Sequence, residues 1–168
     1  MIDVREAAPR DLGAIFEIVN DSARAYKGVI PAAAWHEPYM PMDHLQSEIA
    51  KGVRFYCCDF DGRTMGVMGI QDVKDVTLVR HAYVRTESRS QGIGRTLLES
   101  VTRLTARPVL IGAWRAASWA IRFYEKNGFT LLDESEKSRA LATYWTISPF
   151  QSEHSVVLAD PRWFARAT

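Results

Sequence analysis

Residues 77–104 read TLVRHAYVRTESRSQGIGRTLLESVTRL. The first eight alternate in the manner of a strand, and from Ile93 onward Ile93, Leu97, Leu98, Val101 and Leu104 fall on one face of a helix that Pro108 closes. Between them stands RSQGIG, Arg89 to Gly94. A helix N-terminus leaves backbone N–H groups unpaired and carries a partial positive charge, so glycines there let a phosphate approach closely. The stretch suits a pyrophosphate; the plain alternative is a strand-to-helix turn that needs positive φ. No third glycine completes a Rossmann fingerprint and no Gly-Lys-Ser/Thr completes a Walker loop, so NAD and ATP fit poorly.

Outward from this stretch, IDVREA reads as a strand, and DLGAIFEIVN as a helix with Leu12, Ile15, Phe16 and Val19 on one stripe. DSARAYKGVIPAAAWHEPYMPM reads as a short helix running into an irregular, aromatic-rich loop. Asp43 is placed to cap the helix DHLQSEIAKG. VRFYCCDF and TMGVMGIQD form a hairpin through the Asp61-Gly62 turn, followed by VTLVRHAYV. Beyond the central helix come a strand, PVLIGAW, and a helix, SWAIRFYEKN, stopped at Asn127 and Gly128. A strand then begins at Phe129, a helix ESEKSRALATYWTI follows with Asp133 and Glu136 as its capping box, and EHSVVLA is the last strand. The pattern is α/β of the α+β type: a mixed, mostly antiparallel sheet of about seven strands, with helices on both faces. No repeat or linker interrupts it, and residues 1–168 read as a single domain.

Composition sets limits on the class of function. Hydrophobic residues make up 47% and charged residues 24%, as in a soluble globular chain. A net charge of +1 leaves no electrostatic footprint for nucleic acid. The charged N-terminus has no apolar segment of signal type and no run approaches a membrane span, so a soluble, cytoplasmic protein is expected, with no membrane partner. Cys57 and Cys58 are adjacent and alternate to opposite faces of a strand, reading as half-buried thiols; a disulfide or a metal site does not fit their spacing.

The second informative stretch is AIRFYEKNGF, Ala120 to Phe129, about 25 residues downstream of RSQGIG. RSQGIG resembles the Arg/Gln-x-x-Gly-x-Gly/Ala pyrophosphate motif of the GNAT superfamily of N-acyltransferases, and AIRFYEKNGF resembles that superfamily's next motif. The element order is similar to the GNAT fold over nearly the whole chain. The resemblance implies acetyl-CoA as co-substrate, with no metal, lying in a V-shaped opening between the TLVRHAYV and PVLIGAW strands. It implies that Arg89, Ser90, Gln91, Gly92, Ile93 and Gly94 offer backbone N–H groups to the pyrophosphate, with Arg95 and Thr96 close by, and that Tyr83 and Val84 run beside the pantetheine arm. Where the family often has an Asn, this chain has Ala117, and Ser118 either substitutes for it or caps the helix.

Acyl transfer to nitrogen needs a neutral amine, a stabilised oxyanion and a proton for the departing thiolate. By the resemblance Tyr124 is the general acid: a phenol near pKa 10 protonating a thiolate near 8.5 faces a step of roughly 2 kcal/mol. The alternative is that Tyr124 is a core aromatic. A backbone N–H of the TLVRHAYV strand meets the oxyanion. His81 is the candidate base, sharing a strand face with Val79 and Tyr83, and His36, Glu37 or a water relay are rivals. Tyr26, Trp35, His36 and Glu37, with Tyr39 and Met40, are candidates to wall the acceptor site, as are Trp114 and Tyr144; the same aromatics suit anchoring of a long loop. Tail residues Trp163 and Phe164 pack either on their own domain or on a second copy in a homodimer. The expected partners are acyl-CoA and an amine acceptor, a small molecule or a peptide N-terminus. The alternatives are a protein lysine acetyltransferase and a non-catalytic acyl-CoA-binding or sensing module.

Overall fold

The computed structural model describes residues 1–166. Its strands are β1 (Ile2–Glu6), β2 (Arg54–Phe60), β3 (Arg63–Val73), β4 (Val76–Val84), β5 (Val109–Trp114), β6 (Thr130–Leu131) and β7 (Ser155–Ala159), joined in one mixed sheet in the order β1-β2-β3-β4-β5-β7-β6. The helices among the described residues are α1 (Leu12–Ala23), α2 (Met42–Ala50), α3 (Ile93–Arg103), α4 (Ser118–Lys126), α5 (Glu134–Tyr144), α6 (Pro149–Glu153) and α7 (Pro161–Ala165). None of these helices is long and apolar enough to cross a membrane. The chain divides into two compact units, Met1–Gln71 with Val79–Thr105, and Asp72–Leu78 with the chain from Ala106 onward.

In the first unit β1 pairs antiparallel with β2, Ile2 opposite Phe60 and Glu6 opposite Tyr56, and β2 pairs antiparallel with β3. The hairpin turn is the expected one, with Asp61 at φ +50° and Gly62 at φ +78°. Positive φ at both central residues matches the right-handed twist of the strands they join. Ile15, Ile18 and Val19 of α1 and Leu45 of α2 form a core with Phe55 and Cys57 of β2 and Val67 of β3. Arg5 of β1 binds Asp11 through both terminal nitrogens, at 2.8 and 3.0 Å, and Asp59 of β2 at 2.8 Å, locking the strand pair to the start of α1. The Arg5 hydrogen bonds, with one from the Ala8 N–H, hold the Asp11 carboxyl at about 2.

The neighbour of Val67, Gly66, faces the opposite way by strand alternation, and α3 packs there. A Cβ at Gly66 would lie 2.7 Å from Ile93 Cγ2 and 3.0 Å from Leu97 Cδ1. Helices on both faces leave Cys57 and Cys58 fully buried, rather than half-buried as alternation alone suggests. Because Ile93 is itself buried and β-branched, its methyl has nowhere to go. Gly66→Ala is expected to cost about 1–3 kcal/mol by overpacking, seen as a melting temperature lower by about 3–10 °C. An unchanged melting curve would show that α3 yields freely.

Two local expectations are corrected in this unit. Asp43 does not cap α2: Pro41 occupies the N-cap and Asp43 sits in the first turn, its Oδ1 accepting from the His44 N–H at 2.9 Å. Leu104 does not complete the buried stripe of α3, because the helix stops at Arg103 and leaves Leu104 56% exposed at the C-cap.

In the second unit β7 lies between β5 and β6, antiparallel to both, with Leu110 opposite Ala159 and Thr130 also opposite Ala159. All five residues of β7 are buried, and Val157 and Ala159 join Val76, Leu78, Leu110, Leu141 and Trp163 in a second core. Asp133 caps α5 as expected, accepting from the Glu136 N–H at 2.8 Å. The helix ends at Tyr144, three residues short of the expected run, and the strand after Phe129 is only Thr130–Leu131. Helices α6 and α7 have no counterpart in the sequence reading. Five residues are too few to show a 3.6-residue period, although Ser148-Pro149 and Asp160-Pro161 carry the cap-then-proline start signal.

Candidate functional site

The turn after β4 is held from two sides. Arg85 donates its N–H to the Met65 carbonyl at 2.8 Å and its Nε to the Thr64 carbonyl at 3.0 Å. The Thr86 N–H donates to Asp21 Oδ2 at 2.8 Å, and Arg89 Nη2 donates to the Ser22 carbonyl at 3.0 Å, so the last turns of α1 tether the segment. The backbone then passes through the left-handed region twice, at Ser90 (φ +68°) and Gly92 (φ +80°), and α3 starts with Gly92 as its N-cap. No side chain caps that end.

The first turn of α3 therefore presents backbone N–H groups with no helical acceptor behind them, at the positive end of an eleven-residue helix. Ile93 is 1% exposed and clamps the turn onto β3, and the Thr96 hydroxyl donates to the Gly92 carbonyl at 2.8 Å. The nearby guanidinium groups are engaged within the protein: Arg89 with Ser22, and Arg95 Nε with Glu99 Oε1 at 2.8 Å. What the turn can offer an anion is its main chain, from Gln91, Gly92, Ile93 and Gly94.

Upstream on β4, His81 lies against Phe55, ring centroids 5.9 Å apart and 18° from coplanar, with Nε2 2.8 Å from Glu48 Oε1. Arg80 Nη2 reaches the same oxygen at 3.1 Å. The hydrogen bond from His81 and the charge of Arg80 hold the buried Glu48 carboxyl at about 2. Burial shifts His81 below its ordinary value, which the bond to Glu48 only partly offsets.

Sequence reasoning missed Glu48. Its signal was a charge three residues after Leu45, on the stripe that α2 buries, while the apolar Ile49 beside it is 40% exposed. Gly66 was also missed, because only the partner helix reveals what its absent side chain makes room for.

The aromatic residues of the loop between α1 and α2 gather on one another, as expected of that segment. Tyr39 lies between Trp35 (centroids 5.9 Å, stacked) and Tyr26 (5.4 Å), with His36 at 6.2 Å. Tyr83 of β4 meets Tyr26 edge-on at 6.4 Å and packs on the first unit's core. Burial raises the Tyr26 phenol well above its ordinary value. Glu37 faces Lys27 Nζ at 3.6 Å, and the two side chains are about two-thirds exposed.

In the second unit, Tyr124 is the buried residue of α4, 7% exposed, with Phe123 and Phe129 packed edge-on at 5.3 and 6.2 Å. The N-cap of α4 is the fully buried Ala117, so Ser118 stands inside the helix rather than capping it. Trp114 ends β5. The Tyr144 hydroxyl donates to Asp75 Oδ1 at 2.7 Å and its ring meets Trp163 edge-on at 6.1 Å, an anchoring arrangement that buries Trp163 beneath the Arg166 guanidinium. Among the described residues no cluster of His, Cys, Asp and Glu could hold a metal ion.

The chain is similar to known proteins in one segment of its sequence and in its fold. Residues 51–131, which run from the end of α2 to β6, match the family model described as an acetyltransferase (GNAT) domain. No curated protein matches the chain in sequence. Among solved structures, the PaiA N-acetyltransferase from Thermoplasma acidophilum in complex with coenzyme A is similar, with a TM-score of 0.71 at 20% identity over 95% of this chain and 98% of its own. A GNAT family acetyltransferase from Elizabethkingia anophelis with acetyl-CoA bound matches at 0.59 and 15% identity, covering 95% and 97%. A ribosomal-protein-alanine N-acetyltransferase from Brucella melitensis matches at 0.59 and 21% identity, covering 78% and 86%. The matched segment spans the uncapped turn and Tyr124, and along nearly the whole chain the fold is that of solved GNAT acetyltransferases.

Proposed function

We propose that the protein transfers an acetyl group from acetyl-CoA to a primary amine, of a small molecule or a peptide N-terminus. The observation that carries the reading is the tethered turn at Ser90–Gly92, which opens α3 without a side-chain cap. A pyrophosphate is an anion of the size and charge that such an end receives. Gln91, Gly92, Ile93 and Gly94 would bind it by main chain, with Arg89 and Ser90 shaping the turn, Arg95 and Thr96 beside it, Tyr83 and Val84 along the pantetheine and Ser118 as a further contact. The coenzyme A and acetyl-CoA held by the Thermoplasma and Elizabethkingia proteins support this choice of donor.

In the proposed reaction His81 takes one proton from the acceptor's ammonium group. The freed nitrogen lone pair forms a bond to the thioester carbonyl carbon, and the C–S bond breaks with its electrons going to sulfur. Tyr124 gives the sulfur its proton and recovers one from the nitrogen of the new amide, while His81 releases its proton to water. The downward shift of His81 favours the neutral imidazole from which a base must start. Tyr26, Trp35, His36, Glu37, Trp114 and Tyr144 are the proposed acceptor-side residues, and the gathering of the first three around Tyr39 favours them over Tyr144, whose hydroxyl is taken by Asp75.

The test is thermal unfolding with acetyl-CoA, with NAD and ATP as controls, followed by free-thiol release in the presence of a panel of amines. Acetyl-CoA at 100 times its dissociation constant adds about 2.7 kcal/mol. A rise with acetyl-CoA alone, together with amine-dependent thiol release, is the expected result. A rise without thiol release would leave a binding module, and no rise would make the turn structural.

A further inference from the structure

We infer that Glu48 is the positioning residue for His81, fixing Nε2 as the protonated ring nitrogen and leaving Nδ1 as the atom that accepts the proton from the acceptor amine. The inference rests on the proposed use of His81 as base, and its observations lie within the first unit.

Glu48 belongs to the buried stripe of α2, where an apolar residue would serve packing at lower cost. Only 6% of its side chain is exposed, and Oε1 is 2.8 Å from His81 Nε2. An ionised carboxylate can only accept, so Nε2 carries the hydrogen and a neutral imidazole then holds its lone pair on Nδ1. The Phe55 ring fixes the plane of the imidazole. Arg80, at 3.1 Å, keeps the carboxylate charged and is itself held by Gln71 Oε1 at 3.2 Å.

The groups around the pair act in two directions. Glu48 favours the imidazolium formed when Nδ1 takes a proton, and Arg80 of β4 and His44 of α2, whose Nε2 is 3.9 Å from the same carboxylate, oppose it. The proton balance is that of the proposed reaction: one proton passes from the acceptor's ammonium to Nδ1 and then to water, while Nε2–H stays on Glu48 throughout.

Two measurements test the assignment. In the resting wild-type protein, 15N chemical shifts of the His81 ring should show the Nε2–H tautomer; an Nδ1–H tautomer would overturn the inference, and this reading needs no variant. In steady-state kinetics across pH 5–9, wild type should show an acid limb that His81→Ala abolishes. Glu48→Gln should move that limb to lower pH, because the charge that favours the imidazolium is gone, and lower kcat about tenfold while KM for acetyl-CoA stays within about twofold.

The outcomes separate the readings. Without amine-dependent thiol release by wild type, the transfer reading fails and this role fails with it. If the limb survives in His81→Ala, His81 is not the base. If His81→Ala abolishes the limb but Glu48→Gln leaves it and kcat unmoved, only the role of Glu48 is overturned. A merely structural Glu48 would lower stability without moving the limb.

Discussion

Replacing Tyr124 by phenylalanine is expected to lower turnover by about 10²–10⁴-fold and to leave the affinity for acetyl-CoA nearly unchanged. The substitution removes one oxygen and keeps the ring, so the edge-on contacts with Phe123 and Phe129 that bury residue 124 persist and α4 is not disturbed. On the proposed mechanism, what disappears is the proton for the departing thiolate. The measurement is kcat, KM for acetyl-CoA and melting temperature on the same preparations. A loss of kcat with KM and melting temperature retained marks an interaction made only in the transition state. Near-normal turnover in Tyr124→Phe would remove the residue from the mechanism and return it to the role of a core aromatic.

The opposite signature is expected at the mouth of α3. Gly92 sits at φ +80°, and no atom lies within 4 Å of where a Cβ would stand, so the cost of a side chain there is conformational rather than steric against neighbours. A β-branched residue such as valine is strained at positive φ. Gly92→Val is expected to twist the turn out of register, withdrawing main-chain donors from the pyrophosphate. KM for acetyl-CoA should rise by about 10- to 100-fold, the loss of one or two charge-assisted hydrogen bonds. At saturating acetyl-CoA kcat should remain within about threefold of wild type. A fall in kcat with KM unchanged would show that Gly92 serves the helix start and not the donor. The two variants are thus expected to separate binding from chemistry, one in each compact unit of the chain.

The turn at Gly92 and the helix that carries Tyr124 were legible from the order of amino acids, whereas the role proposed for Tyr124 comes from the family resemblance and not from its spacing. A strand that alternates, a turn that carries Gly92 and a helix with an apolar stripe are local features, set by φ, ψ and side-chain period within some thirty residues. The Asp61-Gly62 hairpin, the Asp133 cap and the Gly128 stop are local in the same sense, and each stands in the structure where the sequence places it.

Tertiary structure decided what depends on a partner far along the chain. The Cys57 and Cys58 side chains are both fully buried because α1 and α2 cover one face of β2–β3 and α3 the other, which alternation within one strand cannot tell. The insertion of β7 between β5 and β6 joins residues some fifty positions apart, and no periodicity within either strand encodes that neighbour. The pairing of Glu48 with His81 spans 33 positions. In sequence each reads as a lone polar residue on its own element, and only the packing of α2 against β4 turns them into a carboxylate and an imidazole sharing one proton. The chemistry of a turn is written in consecutive residues; the chemistry of a buried pair exists only where two elements meet.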